Sequence, residues 1–298
     1  MIKAVEISKK FDRKQVLDQV GFQVRKGTIY GLLGSNGAGK TTIMRILAGI
    51  LKQDKGSVLV DGKSVFENVK LKQRVIFMPD ILYFFPQYTV KQMGQYYADM
   101  YDNWDQQRYD QLISQFKLEN KKVTTFSKGM QRQVAFCLAL AAKPDFLIMD
   151  EPLDGLDAVV RQRIKGLLIN DVAEREMTVL ISSHNLREME NLCDDVGILH
   201  KGKMILERNL DDMKTEVQKV QFALRKGQDM SFLEKLNILH QEKRGSIHLL
   251  IVKADLQEVE TILTAQNPVV LDMLPLSLEE IFIYEMGGAG YAIENILD

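Results

Sequence analysis

With 298 residues, 46% of them hydrophobic, the chain can bury the core of one large domain plus a smaller one. Lys and Arg number 39 against 40 Asp and Glu, a formal net charge of -1, which argues against a dedicated nucleic-acid binder with its basic excess. The opening MIKAVEISKK lacks the apolar stretch of a signal peptide, and the longest apolar run, VAFCLALAA (134–142), is far short of the ~20 residues that span a bilayer, so a soluble, intracellular protein is expected.

Residues 2–8 and 17–24 read as short strands from their alternating or β-branched content. TIYGLLG (28–34) is an apolar strand entering a glycine-rich turn, and TTIMRILAGIL (41–51) follows as a helix with apolar residues at helical spacing. SVLVDGKSV (57–65) predicts a hairpin turning at Asp61-Gly62. From about 88 to 143 the pattern is mainly helical, with YTVKQMGQYYADMY and QQRYDQLISQF as its clearest segments. Strands return at DFLIMD (145–150) and TVLISS (178–183), and VGILHKGKMI (196–205) predicts a further hairpin. The sum is a parallel α/β core with a helical insertion. After the polar join ILERNLDDMKTE (205–216) the rhythm changes: VQKVQFAL, SFLEKLNIL, SIHLLIVK, DLQEVETILTA and PVVLDMLPL predict strand, helix, strand, helix, strand, a separate small α+β unit. Cys137 and Cys193 have no partner at metal-ligand spacing and are expected to be buried free thiols.

The segment GSNGAGKT, Gly34 to Thr41, fits G-x-x-x-x-G-K-[ST] between a strand and a helix. Glycines let successive backbone N–H groups point at phosphate oxygens, and the helix N-terminus adds a favourable dipole. Lys40 supplies a mobile charge for the β- and γ-phosphates, and Thr41 a hydroxyl for Mg²⁺. Alone, the stretch also fits an ordinary glycine-rich turn. FLIMDE (146–151), an apolar strand ending in two carboxylates, supports the phosphate reading: Asp150 reaches the Mg²⁺ shell, and Glu151 is placed to polarise a water as general base. A guanine reader of the N-K-x-D type finds no match, since Asn120-Lys121-Lys122-Val123 lacks the Asp.

In that order, GSNGAGKTT, FSKGMQRQ, FLIMDEP, DGLD and ISSH resemble the ATP-binding-cassette ATPases, and the likeness covers roughly residues 1–210. The resemblance implies an α/β fold: a P-loop NTPase core with an antiparallel β subdomain and a helical insertion (about 81–143) within a 1–215 ATPase domain. A small C-terminal α+β domain (216–298), regulatory or dimer-contacting, follows. It implies two cassettes head to tail around two ATP molecules, each ATP held by the phosphate loop of one cassette and the signature sequence of the other. Carried over residue by residue, Ser35, Asn36, Gly37, Ala38, Gly39, Lys40, Thr41 and Thr42 contact ATP, Phe11 stacks on adenine, and His184 contacts the γ-phosphate. Phe11 also fits a core position at a strand end. Asp157 matches the loop that communicates between the two sites.

Two departures from the family pattern stand out. FMPD (77–80) ends in Asp80 where Gln is usual, so Asp80 is either a further group near Mg²⁺ or a solvated loop residue. The common LSGGQ is here Phe126-Ser127-Lys128-Gly129-Met130, which keeps Ser127 and Gly129, the hydroxyl and close backbone N–H for the opposite γ-phosphate. Ser127 is also a good N-cap for the helix that Met130, Val134, Leu138 and Ala141 predict.

The resemblance further implies ATP and Mg²⁺ as cofactors and a place at the cytoplasmic face of the membrane. The partners would be a polytopic transmembrane permease and a second cassette, a copy or a related ATPase, with no nucleic acid. The aromatic-rich ILYFFPQYTV (81–90) lies where the family receives its membrane subunit, though it also fits plain packing of the insertion. PLSLEEIFIYEM (275–286) resembles the closing element of bacterial exporter ATPases, and the nearest likeness is to those that export amphipathic peptide toxins. The competing reading, a soluble cassette ATPase acting on ribosomes or DNA, goes with fused cassettes or long coiled-coil insertions, and neither pattern is present.

Overall fold

The structure, a computed structural model, describes residues 1–225 and 227–288; the remainder of the expected C-terminal domain, 289–298, lies outside the described residues. The chain divides into two compact units, Met1–His184 with Asp195–Glu207, and Asn185–Asp194 with Arg208 onward. That division differs from a single cut after 215, because a short segment after His184 packs with the C-terminal residues.

In the first unit, β1 (Ile2–Phe11) and β2 (Lys14–Val24) pair antiparallel from Ile2↔Val24 to Phe11↔Lys14. Ile2, Ala4, Leu17, Val20, Phe22 and Val24 are buried, at period-2 spacing except across an irregularity at Gln19 (φ +51°) between Leu17 and Val20. β4 (Lys55–Val60) and β5 (Lys63–Ser64) complete a sheet in the order β2-β1-β4-β5. Their turn, Asp61-Gly62, has φ of +47° and +76°, the left-handed pair that matches the twist of a tight hairpin.

The second sheet carries the site. Its order is β10-β9-β3-β8-β7-β6, with β3 (Ile29–Leu33), β6 (Val75–Met78), β7 (Phe146–Met149), β8 (Thr178–Ser183), β9 (Asp195–His200) and β10 (Lys203–Asn209). The pairs β3–β8, β3–β9, β6–β7 and β7–β8 are parallel. β3, β7 and β8 are buried along their whole length, which explains their continuous apolar runs. Because the strands run parallel, their carboxyl ends bring Gly34, Asp150 and His184 to one edge, where open α/β sheets bind ligands.

The helices are α1 (Lys40–Leu47), α2 (Val69–Lys72), α3 (Val90–Met100), α4 (Gln106–Gln115), α5 (Lys128–Ala141) and α6 (Ala158–Arg175). Thr89 and Gln92 form a reciprocal capping box at the start of α3, and the Tyr109 hydroxyl of α4 donates to the Val90 carbonyl at 2.6 Å. Buried Asp171 of α6 accepts from Arg108 of α4 and Arg175, tying the helical insertion to the core. Cys137 is a buried free thiol, and burial pushes its pKa well up, so it is inert packing rather than a nucleophile.

The second unit holds α7 (Leu186–Met189), α8 (Leu210–Glu216), β11 (Val217–Ala223), β12 (Ile238–Arg244), β13 (Ile247–Lys253), α9 (Leu256–Thr264), β14 (Val270–Leu274) and α10 (Leu278–Gly288). The helix expected over SFLEKLNIL is corrected: Ser231–Lys235 is a single 3₁₀ turn, and the chain then runs into β12. Phe232 and Leu236 have helical spacing and are buried, but Ile238–Arg244 gains more by pairing with β13 across a turn at Gly245. All neighbours in the order β12-β13-β11-β14 are antiparallel, the split β-α-β arrangement with its first helix reduced to that turn. Glu190 accepts from the Leu278 N–H at 3.1 Å and Arg187 pairs with Glu279 at 2.9 Å, so the segment around α7 belongs to this unit.

Candidate functional site

Between β3 and α1 the chain takes a path open only to glycine at two points. Gly34 has φ +153°, and a Cβ there would lie 2.2 Å from the Leu199 carbonyl oxygen. Gly39, the N-cap of α1, has φ +111°, and a Cβ would lie 2.8 Å from a Leu17 methyl. The loop therefore presents backbone rather than side chains, and α1 opens with no acidic residue in its first turn to compete for its N–H groups.

Lys40 is 6% exposed and donates to the Gly34 and Ser35 carbonyls, with its Nζ 3.2 Å from Glu151 Oε1. Thr41 donates its hydroxyl to Asp150 Oδ2 at 2.5 Å, and Ser182 donates to Asp150 Oδ1 at 2.6 Å. Asp150 is 2% exposed, so these two hydroxyls supply the hydrogen bonds that a buried carboxylate requires. The oxygen donor set of Thr41 and Asp150 fits a hard divalent cation such as Mg²⁺. Glu151 sits in the left-handed region at φ +46°, its N–H bonded to Ser182 Oγ at 2.9 Å. Its Oε2 is 3.0 Å from His184 Nδ1, so carboxylate and imidazole meet at the same edge.

These groups surround a cleft of about 330 Å³ lined by Ser35, Asn36, Gly37, Gly39, Lys40, Thr41 and Thr42, by Lys14 and Val16 of β2, and by Asp80, Asp150 and Glu151. Ala38 is buried beneath the loop. Phe11, at the tip of the β1–β2 hairpin, is 46% exposed with Lys9 Nζ 5.6 Å from its ring centroid; its cross-strand partner Lys14, not Phe11 itself, lines the cleft. An exposed aromatic at that tip has a free face for stacking and is not a core residue. Asp80 borders the cleft, but its Oδ1 accepts from Arg132 at 2.9 Å and bonds to neither Thr41 nor Asp150.

Ser127 accepts the Met130 N–H at 3.3 Å as the N-cap of α5. Neither Ser127 nor Gly129 lines the phosphate cleft of its own chain. Gly129 and Lys128 border a separate depression of about 360 Å³ with Asp80, Arg132, Asp154 and Gly155. Arg132 is the residue beside the site that sequence reasoning misses: the helical pattern of FSKGMQRQ places it on α5, but its partners at Glu151, Asp154 and Asp80 are far away in the chain.

A glycine-rich loop delivering a buried lysine, with a hydroxyl–aspartate pair and an adjacent glutamate at the carboxyl edge of a parallel sheet, defines a P-loop nucleoside triphosphatase. Comparison with known proteins narrows the class. The ABC transporter family profile matches residues 17–154. The chain is 35% identical to the ABC transporter ATP-binding protein YtrB of Bacillus subtilis, over 97% of this chain and 99% of that protein. It is 33% identical to the bacitracin transport ATP-binding protein BcrA of Bacillus licheniformis, over 74% and 73%. A solved ATP-binding subunit of an ABC transporter superposes with a TM-score of 0.67 at 26% identity, covering 72% of this chain and 92% of that one. The chain belongs to the ATP-binding-cassette transporter family, as an ATP-binding subunit and ATPase. Among the described residues no helix is long and apolar enough to cross a membrane.

Proposed function

We propose that the chain is the nucleotide-binding subunit of an exporter, bound at the cytoplasmic face to a separate polytopic membrane subunit. ATP binding closes a head-to-tail pair of cassettes, and hydrolysis resets it. The observation that supports this reading is that two groups of motif residues lie at different places on the chain. Lys40, Thr41, Asp150 and Glu151 line one cleft, with His184 against Glu151, while Ser127 and Gly129 do not line it. One chain thus holds both halves, and two copies make two complete sites.

In each site the loop backbone and Lys40 hold the phosphates. Thr41 and Asp150 would hold Mg²⁺, which when bound offsets phosphate charge. Phe11 stacks on the adenine. Glu151 takes the proton of the attacking water as general base. His184 and the opposite copy's Ser127 and Gly129 stabilise the γ-phosphate; positioning and electrostatics supply the acceleration.

The exporter assignment draws on the similarity to BcrA, named for bacitracin transport, and extends to drug, lipid or peptide cargo as a class. The surface for the membrane subunit is the aromatic stretch after Asp80. Ile81 and Tyr83 are 85% and 79% exposed, and Phe85 packs on Tyr88 and Tyr96 with ring centroids 4.9 and 5.2 Å apart. Large exposed apolar side chains of this kind mark interaction sites. The C-terminal unit is assigned a regulatory or dimer-contacting role from its position after the cassette. Gentle membrane extraction followed by mass spectrometry tests the reading: a polytopic membrane protein is the expected partner, and ribosomal proteins or DNA in its place contradict it.

A further inference from the structure

Arg132 stands in the second turn of α5, its side chain only 11% exposed. Nη1 donates to the carbonyl oxygens of Glu151 at 2.8 Å and Asp154 at 2.6 Å. Nη2 donates to the Asp80 carbonyl at 3.0 Å and to Asp80 Oδ1 at 2.9 Å. One rigid planar fork thereby joins three segments: the end of β6, the residue after Asp150, and the loop beyond it. A lysine, a point charge on a flexible stem, does not reproduce that geometry.

The contact with Glu151 has a particular consequence. Glu151 holds φ at +46°, a region that non-glycine residues occupy only when their surroundings over-determine it. Ser182 fixes its N–H and Arg132 fixes its carbonyl, so the residue is pinned at both backbone ends. From that turn its carboxylate reaches His184 Nδ1 and Lys40 Nζ at the cleft. Without Arg132 the carbonyl would keep only the long 3.4 Å bond from the Asp154 N–H, which leaves the backbone much less constrained to the left-handed region and lets the carboxylate swing off the cleft.

We propose that Arg132 is a positioning residue that holds Glu151 in the conformation from which it acts, and that ties the Asp80 loop to the same turn. The inference rests on the reading of Glu151 as general base. A base displaced by about 1 Å loses on the order of 10²-fold in rate, while the phosphates are held by other groups.

The test uses the full chain and four variants: Arg132→Met, Arg132→Lys, Glu151→Gln and the double Arg132→Met/Glu151→Gln. Arg132→Met is expected to lower kcat roughly 10²-fold while KM and the affinity for a fluorescent ATP analogue stay within about twofold. Arg132→Lys recovers part of the loss. In the double variant, single-turnover hydrolysis is no slower than in Glu151→Gln alone, because Arg132 acts through that side chain. A kcat for Arg132→Met within about twofold of the parent overturns the proposal. So does a loss of nucleotide affinity equal to the loss of rate, or a full multiplicative loss in the double variant. Should Arg132→Met not fold, Arg132→Lys decides: a lowered kcat at unchanged KM supports the proposal, and an unchanged kcat overturns it. Normal turnover in Glu151→Gln instead removes the general-base reading, so the two failures are told apart.

Discussion

The cleft at the carboxyl edge of the parallel sheet and the turn at the start of α5 differ in where their polar groups find partners. In the cleft the central groups are held from within the chain: Lys40 by loop carbonyls, Thr41 and Ser182 by Asp150, Glu151 by His184. At the turn, Ser127 is exposed and caps its own helix, Lys128 is exposed, and α5 has no acidic residue in its first turn. A network satisfied internally is built to hold a geometry steady. A helix start facing outward with a serine, a glycine and a cation has the chemistry to meet an anion. On the proposed function, the difference is that between the catalytic half of a composite site and its recognition half.

Substitutions that strike one half and spare the other test this contrast. Glu151→Gln is expected to lower kcat by about 10²–10⁴ with nucleotide affinity nearly unchanged, measured by phosphate release and equilibrium binding. It should also accumulate an ATP-dependent dimer in size-exclusion chromatography. Normal turnover would remove the general base from the cleft. Ser127→Arg, on the other half, should reduce turnover roughly 10²-fold or more and abolish that dimer, with ATP still binding the monomer. Surviving ATPase activity would show that the turn plays no part.

The scaffold beneath the turn can be loosened separately. Asp171→Ala leaves Arg108 and Arg175 without their buried acceptor, and should cost about 3 kcal/mol in urea unfolding. Nucleotide affinity at the cleft is expected to persist under native conditions, because Asp171 touches none of its lining groups. The second unit serves as a control, holding neither half. Burial pushes the Glu280 carboxyl up, but hydrogen bonds from Lys219 and Ser277 and the Lys219 charge outweigh it, and its pKa is lowered. A lowered folded pKa gives stability that is present above the ordinary glutamate range and lost as pH falls through the folded value. Glu280→Gln should therefore cost this unit about 1 kcal/mol at neutral pH, and progressively less in acid.

The motifs of the cleft were legible because each is continuous. Gly34–Thr41 and Phe146–Glu151 are single strand-to-turn passages whose conformation and chemistry are set by adjacent residues. The Asp61-Gly62 hairpin was legible for the same reason. Arg132 was not, since its partners lie 52, 19 and 22 residues away and only the folded sheet brings them together. Helix α6 escaped because Val159 and Ile169 face solvent, which blurs its apolar stripe. SFLEKLNIL misled because a short apolar run satisfies helix and strand patterns alike until its pairing with β13 is known.

The composite site is tested most directly by mixing two inactive variants, Lys40→Ala and Ser127→Arg. A mixed dimer contains one site with an intact phosphate loop from one copy and an intact signature turn from the other. Turnover in the mixture well above the sum of the two separate variants is the predicted result. Turnover that never exceeds that sum, at any ratio, would contradict a site shared between two copies of this chain.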